Sequence, residues 1–346
     1  PAAEQGYRTT GIQDLALIYQ GGSHRLDWTV DEFRPYVVHR FADGSKDWLF
    51  DGFLFLEFKD GSGRNYTVGY EKLNARRTEW EWLLDRIFEQ GKSLSALDRC
   101  IGQEIKELGK PAFRHQIVLG LPEAIRGQKD WGKLDGREMD FSKEEDQIAA
   151  TKWYIGELVE RFKAAKYKHL ELSGFYWVAE DTHHCAELTI PLSEYIHSEG
   201  KLFYWIPYWQ AKGHEEWKRL SFDVAYQQPN HFFNHSIPDS RLDEACATAR
   251  RHGMAMEFEF DEKATAAIPN SSYDRMVAYI DHFEKNDVFN SSAVAYYCGN
   301  RGVLTLDESD NPKDKALMDR LARIIQARRY LKYGIPMKNK PRVVAH

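Results

Sequence analysis

Carboxylates lie in or directly after two strand-like stretches of this chain, and their spacing suits acid–base chemistry. The stretch "GFYWVAED" (174–181) places Glu180 behind three consecutive aromatic residues, and "MAMEFEFDE" (254–262) carries Glu257 and Glu259. Residues two apart on a strand share a face, so Glu257 and Glu259 point the same way. Two carboxylates brought together from different elements can act as a proton donor and as a nucleophile or base, the pair that glycosidic bond hydrolysis requires.

The elements that must position these carboxylates form a repeating pattern of apolar runs and helical segments. Strands are predicted over eight runs: 15–22, 50–58, 113–122, 169–177, 201–209, 222–229, 254–262 and 292–299. The connections between them carry apolar residues at helical spacing, and the runs are apolar on both faces, which predicts a (β/α)₈ TIM barrel with long βα loops. We expect a single barrel domain over residues 12–330 and a C-terminal tail over residues 331–346.

In a barrel of this kind, catalytic groups lie at the carboxyl ends of the strands. Glu180 follows the fourth predicted strand, and Glu259 lies near the end of the seventh. We therefore expect these two as the catalytic pair, with Glu257 supporting or replacing Glu259. The alternative is that the acids pair with basic neighbours, and Glu171, inside the fourth strand, is expected to have a structural role.

Polar and aromatic residues recur at the ends of successive predicted strands. Amides and imidazoles can bind sugar hydroxyls, while indole and phenol rings stack on sugar faces. The residues expected to bind substrate are Tyr176, Trp177, Tyr208, Trp209, Gln210, Gln227, Gln228, Asn230, His231 and Asp261.

Composition and charge exclude several other classes of function. The net charge of −6 argues against nucleic acid as a partner. Aromatic residues make up 14% of the chain, which is consistent with rings that stack on sugars. No run of 18 apolar residues predicts a membrane-spanning segment. No glycine-rich phosphate loop and no HExxH motif is present, so neither a cofactor nor a metal is predicted. The lack of a GxSxG motif after a strand argues against a serine nucleophile. Four widely separated cysteines are interpreted as free core thiols.

Several long motifs together resemble one protein family. These are "FDGFLFLEF", "TEWEWLLDRIFEQGKSLSALD", "HQIVLGLP", "ELSGFYWVAED", "IPYWQAKG", "DVAYQQPN" and "GMAMEFEFDE". They are similar to a bacterial family known as domain of unknown function 4855, which occurs in glycan-utilising and cell-surface proteins. The resemblance spans about residues 12–330 and implies a barrel and carbohydrate chemistry in an exported bacterial protein, whether periplasmic, cell-surface or secreted. No signal peptide is recognised in this chain.

The roles of the two acids follow a second resemblance, to the retaining barrel glycosidases. That group places its acid/base after strand four and its nucleophile on strand seven, which implies Glu180 and Glu259 here. An Asn precedes the strand-four Glu in that group, whereas Ala179 precedes Glu180 in this chain.

The sequence thus predicts a glycoside hydrolase, with retention the expected outcome. The alternatives are a non-catalytic carbohydrate-binding barrel and a metal-assisted hydrolase that uses His183, His184, His231 and His235. The sequence leaves the sugar, the linkage and the oligomeric state open.

Overall fold

Eight parallel strands form a closed barrel in the computed structural model, which describes residues 5–336. The strands are β1 (Asp14–Tyr19), β2 (Gly52–Leu56), β3 (His115–Leu121), β4 (Leu170–Trp177), β5 (Leu202–Trp205), β6 (Val224–Gln227), β7 (Ala255–Glu259) and β8 (Val294–Tyr297). Each strand pairs with its neighbours in chain order, and β1 closes the barrel against β8. The predicted (β/α)₈ TIM barrel is therefore confirmed, and each predicted run overlaps one barrel strand.

Helices fill the connections and cover the outside of the barrel. They are α1 (Val30–Val37), α2 (Arg77–Ile87), α3 (Ser93–Leu108), α4 (Glu144–Ala165), α5 (Ala186–Ser198), α6 (Ser240–His252), α7 (Tyr273–Lys285), α8 (Val288–Ser291), α9 (Gly302–Glu308) and α10 (Pro312–Tyr333). Gly91 lies between α2 and α3, and Gly253 ends α6 in the left-handed conformation. The loops also contain short two-stranded sheets, in which residues 38–40 pair with 46–48, 64–65 with 73–74, and 133–134 with 137–138.

The connection between β5 and β6 differs from its prediction. The sequence predicts a helix over residues 214–220, but the structure contains only a 3₁₀ turn at His214–Glu216. Seven residues form too short a helix to be stable without packing, and Ser221 takes a left-handed φ of 68° that ends any continuation. Trp217 instead turns inward, and its indole N–H donates to the backbone oxygen of His252 at 2.9 Å. Within the described residues, this is the one connection between barrel strands that lacks an α-helix.

Side chains alternate between the barrel interior and the helical layer. On β4, Tyr176 and the following Val178 belong to the interior cluster, whereas Phe175 and Trp177 pack outward among the helices. Gly174 has no room for a side chain, because a Cβ there would lie 2.1 Å from the backbone oxygen of Leu202 on β5. This alternation directs Glu180, four residues after Tyr176, toward the barrel axis.

A buried ion pair connects helix α10 to the amino end of the barrel. Nε of Arg328, on α10, lies 3.1 Å from Oδ1 of Asp14 on β1, and both side chains are about 3% exposed. The Tyr296 hydroxyl donates to the same carboxylate at 2.7 Å, and Arg328 also donates to the backbone oxygens of Gln13 and Ser292. Helix α10 is thus tied to the amino ends of β1 and β8, opposite the carboxyl ends at which the catalytic groups are expected.

The four cysteines are free and buried. Helix α10 ends at Tyr333, three residues inside the predicted tail, and residues 337–346 of that tail lie outside the described residues. None of the helices in residues 5–336 combines the length and the apolar character needed to cross a membrane.

Candidate active site

A cleft of about 410 Å³ opens at the carboxyl end of the barrel. Three carboxylates line it, those of Glu180 after β4 and of Glu257 and Glu259 on β7. Alternation along β7 places both of its glutamates inside the barrel, while Met256 and Phe258 join the helical layer. The aromatic walls of the cleft are Tyr19, Phe58, Tyr70, Tyr176, Phe233 and Tyr297.

Glu259 is buried and held by a set of hydrogen-bond donors. Its Oε1 accepts bonds from the Tyr279 hydroxyl at 2.5 Å and from the Asn230 backbone N–H at 2.7 Å. The Asn230 side-chain amide donates to Oε2 at 3.3 Å. Burial raises the pKa of Glu259 to about 7, and the charge of Glu180 adds to this, while the bonds from Tyr279 and Asn230 oppose the rise.

Glu257 is also buried but differs from Glu259 in its partners. Its side chain is 3% exposed, and among the described residues no side chain or backbone N–H donates a hydrogen bond to it. Burial raises its pKa well above the usual range, and the charges of Glu259 and Glu180 raise it further. Glu257 is therefore the carboxyl group that most favours the protonated form at neutral pH.

Glu180 lies where the main cleft meets a second cavity. That cavity has a volume of about 210 Å³ and shares Glu180 and Tyr70 with the first. Burial raises the pKa of Glu180 to about 7, with a further contribution from the neighbouring Asp181, while a hydrogen bond from Gln228 lowers it. A carboxyl group titrating near neutral pH at the boundary between two cavities is suited to donate a proton to a bond that spans them.

A partly buried arginine and an aromatic stack complete the wall of the main cleft. Arg25 lines the cleft, forms a 2.9 Å ion pair with Glu57, and places its guanidinium 4.6 Å from the centre of the Tyr19 ring. Glu57 also accepts a hydrogen bond from the Gly22 backbone at 2.8 Å, so it orients Arg25 from behind. Tyr70 stacks on Phe58 with ring centres 4.6 Å apart and planes within 2°.

Four of the residues expected to bind substrate lie at the cavities or directly support them. Tyr176 and Gln228 line the main cleft, and Tyr208 lines the second cavity, where its hydroxyl donates to Asp181 at 3.2 Å. Asn230 has a left-handed φ of 49° and holds Glu259; its side-chain oxygen also accepts from the Trp209 backbone at 2.6 Å.

The other expected binding residues line neither cavity. Trp177 follows the inward-facing Tyr176 and so points outward, where it packs against Phe203 with ring centres 5.9 Å apart. Trp209 packs against the helical core below the Arg241 guanidinium, and Gln210 is exposed at a left-handed position.

Gln227, His231 and Asp261 each form a hydrogen bond to a residue nearby in the chain. Gln227 is buried and donates to the backbone oxygen of Gln228 at 3.0 Å. His231 is buried, its Nε2 lies 2.8 Å from Asp239, and burial lowers its pKa to about 4. Asp261 accepts from the Lys263 backbone at 2.8 Å and caps the 3₁₀ turn Glu262–Ala264.

Glu171 and the histidines take other positions. Glu171 is largely exposed on β4, lies 3.8 Å from Arg114 and lines neither cavity. His183 and His184 line the second cavity, whereas His235 bonds to Ser272 at 2.9 Å. Among the described residues, three potential metal-ligating atoms within 4.8 Å of one another occur at His214, Glu215 and His252, not at the cleft carboxylates.

Strands β1, β2 and β8 and their loops bring residues to the cleft that were not predicted from the sequence. Tyr19 and Tyr297 lie in two runs that were predicted as strands and are the last residues of β1 and β8, so polar aromatics near strand ends could have identified them. Arg25, Lys59 and Tyr70 lie on long loops without a local motif, and only the closure of the barrel brings them together.

Comparison with known proteins gives a family but no established activity. No curated protein matches the chain. Matching solved structures include the tryptophan synthase A-subunit of the hyperthermophile Pyrococcus furiosus, 9% identical over 94% of this chain and 100% of that chain, with a TM-score of 0.42. The tryptophan synthase complex of the same organism matches with the same identity and coverage and a TM-score of 0.40.

Structural similarities with TM-scores this low support no conclusion about this chain. Its fold is established by the closed barrel of eight parallel strands. A family model described as domain of unknown function (DUF4855) matches residues 14–323, most of the chain. The chain therefore belongs to the domain of unknown function 4855 family.

Proposed function

We propose that this protein is a glycoside hydrolase that cleaves a polysaccharide or glycan with paired carboxylates. One observation carries the proposal: carboxyl groups from the ends of β4 and β7 share one cleft, and the pKa values of Glu180 and Glu259 are both raised to about 7. Carboxyl groups whose environments hold them near the point of ionisation are suited to acid and base roles at neutral pH.

The surroundings of each carboxyl group support a division of roles. Glu259 receives three hydrogen bonds that stabilise its ionised form, which suits a nucleophile or base. Glu180 lies between the two cavities, which suits a proton donor to the glycosidic oxygen. Glu257, without a donor of its own among the described residues, stays protonated and serves as a neutral hydrogen-bond donor beside Glu259.

The two cavities suit the two sides of the bond to be cleaved. The sugar that is attacked would occupy the main cleft, over Glu257 and Glu259, and the leaving group would occupy the second cavity beside Tyr208. Tyr70, shared by both cavities and 43% exposed, offers a ring face on which a sugar can stack at the boundary. An exported bacterial location fits such a substrate and forms part of the proposal.

A non-catalytic carbohydrate-binding barrel is the competing prediction, and the carboxyl groups argue against it. Binding sugar hydroxyls needs hydrogen bonds, which amides and hydroxyls supply without the cost of burying several carboxyl groups together. Burial that raises the pKa of three neighbouring acids is typical of a catalytic site.

Hydrolysis of a panel of plant, microbial and host glycans tests the proposal. The wild type is compared with Glu180→Gln and Glu259→Gln, and with Glu171→Gln as a matched control, since Glu171 is on β4 but lines neither cavity. We expect turnover to fall by roughly 10²–10⁴-fold in the first two variants while glycan binding survives. Glu171→Gln should keep wild-type activity, and the configuration of the first-formed product, followed by NMR, reports retention or inversion.

Two results would count against the proposal. Binding of a glycan by all four proteins without turnover would support the binding barrel. Hydrolysis that persists in Glu180→Gln and Glu259→Gln would place the catalytic groups elsewhere.

A further inference from the structure

A cluster of two imidazoles and one carboxylate lies outside the cleft, on the connection between β5 and β6. Nε2 of His214 lies 3.7 Å from Oε1 of Glu215, and Nε2 of His252 lies 3.8 Å from the same oxygen. The three ligand atoms all lie within 4.8 Å of one another. None of these residues lines the main cleft or the second cavity.

From this cluster we propose a structural binding site for a transition-metal ion of the zinc type, with His214, Glu215 and His252 as ligands. Tetrahedral ligands at about 2.0–2.2 Å from zinc lie roughly 3.3–3.6 Å from one another. The two separations to Glu215 exceed this by a few tenths of an ångström, and the two imidazole nitrogens lie within 4.8 Å of each other, so side-chain rotations are needed to bring the three atoms to coordination distance. Two imidazoles with one carboxylate suit zinc, nickel or copper and disfavour calcium and magnesium, which prefer all-oxygen sites.

One histidine is already oriented as metal ligands commonly are. Nδ1 of His214 donates its proton to the backbone oxygen of Ala211 at 2.6 Å. This bond selects the tautomer whose Nε2 carries a free lone pair, and it fixes the direction in which that nitrogen points. The side chain of His214 is 14% exposed, so the ring is held by its surroundings yet reachable by an ion.

The position of the cluster shows which two segments of the chain a bound metal ion would join. His214 and Glu215 belong to the 3₁₀ turn in the connection that lacks an α-helix, and His252 is the last residue of α6. The bond from Trp217 to the His252 backbone already joins these two segments. An ion held by all three residues would join them through side chains as well, and would restrain a connection that includes Tyr208, which lines the second cavity.

Zinc binding to the chelator-treated full chain tests this site, by calorimetric titration and by thermal unfolding with and without zinc. We expect one zinc ion per chain and a higher unfolding temperature in its presence, because a ligand that binds the folded state stabilises it. His252→Gln and Glu215→Gln should each weaken zinc binding by on the order of 10–100-fold or more. His235→Gln, which removes an exposed histidine on another loop, should bind zinc as the wild type does.

The metal-free proteins provide the control for folding. Glu215 is 63% exposed, so Glu215→Gln should unfold at the wild-type temperature without zinc, and any loss of binding is then a loss of a ligand. Wild-type protein that takes up no stoichiometric zinc would overturn the site. Equal zinc affinity in the wild type, His252→Gln and Glu215→Gln would overturn it too, as would magnesium binding as tightly as zinc.

Discussion

Removing the Tyr279 hydroxyl should raise the pKa of Glu259 and shift the pH at which the site becomes active. Both side chains are buried, and the hydroxyl donates a 2.5 Å hydrogen bond to Oε1 of Glu259. A hydrogen bond to a charged group contributes about 1.5–3 kcal/mol, and one pKa unit corresponds to about 1.36 kcal/mol. The bond stabilises the carboxylate, so Tyr279→Phe should raise the pKa of Glu259 from about 7 by roughly 1–2 units.

The expected loss of activity follows from the ionised fraction of Glu259. With a pKa of about 7, half of the wild-type Glu259 is ionised at pH 7. A rise of roughly 1–2 units leaves about 1–10% ionised, so turnover at pH 7 should fall roughly 5–50-fold. The acidic limb of the pH profile should move to higher pH by the same amount, while ionisation of the proton donor Glu180 limits turnover on the alkaline side.

Titration of glutamate side chains by carbon-13 NMR measures the same shift without a substrate. Comparison with Glu259→Gln assigns the Glu259 signal, and Tyr204→Phe is the matched control, because the Tyr204 hydroxyl bonds to Ser173 at 2.7 Å inside the barrel. A Glu259 titration that stays in place or moves to lower pH in Tyr279→Phe would refute the electrostatic reasoning. An acidic limb of the pH profile that stays in place in Tyr279→Phe would refute the role of Glu259 as an ionised group.

Three further predictions concern stability. Glu257→Gln should be more stable than the wild type above about pH 4.5, because the glutamate ionises in the unfolded chain while it stays protonated in the folded protein. The difference in the free energy of unfolding should grow by about 1.4 kcal/mol per pH unit until Glu257 itself ionises, and urea denaturation of both proteins from pH 5 to 8 measures it. Arg328→Ala leaves Asp14 buried without its partner and should lower the free energy of unfolding by about 3–5 kcal/mol in the same assay. The control is Arg323→Ala, which removes a more exposed ion pair and should lower the free energy of unfolding by less than about 1 kcal/mol. Gly174→Ala forces a Cβ to within 2.1 Å of a backbone oxygen of β5 and should cost about 1–3 kcal/mol, and an unchanged thermal midpoint would contradict the close approach.

The barrel was predictable because its signal is local and repeated. Each strand is a short apolar run, and most connections carry a helical pattern with glycine at a break or an end, as at Gly91 and Gly253. The failure at residues 214–220 has the same origin: a pattern of seven residues predicts a helix, but the chain forms only a 3₁₀ turn and Trp217 donates a hydrogen bond to the last residue of α6.

The candidate site was predictable only in part. Period-two alternation placed Glu257 and Glu259 on one face of β7, and that face is the barrel interior. The same alternation, applied to β4, would have separated the inward Tyr176 from the outward Trp177. Polar residues on loops have no such rule, so Gln210 and Asp261 could not be distinguished from Gln228 and Tyr208 by sequence position.

By itself, the sequence determined the strand and helix alternation, the closed barrel and the end of it at which the carboxylates lie. These depend on residue type and spacing within short segments, which the chain carries wherever it folds. Only the tertiary structure decided that Tyr279 and Asn230 hold Glu259, that Arg25 and Tyr70 line the cleft, and that Glu180 lies between two cavities. Those contacts join residues far apart in the chain, and they form only when the barrel closes and loops of different lengths meet at one end.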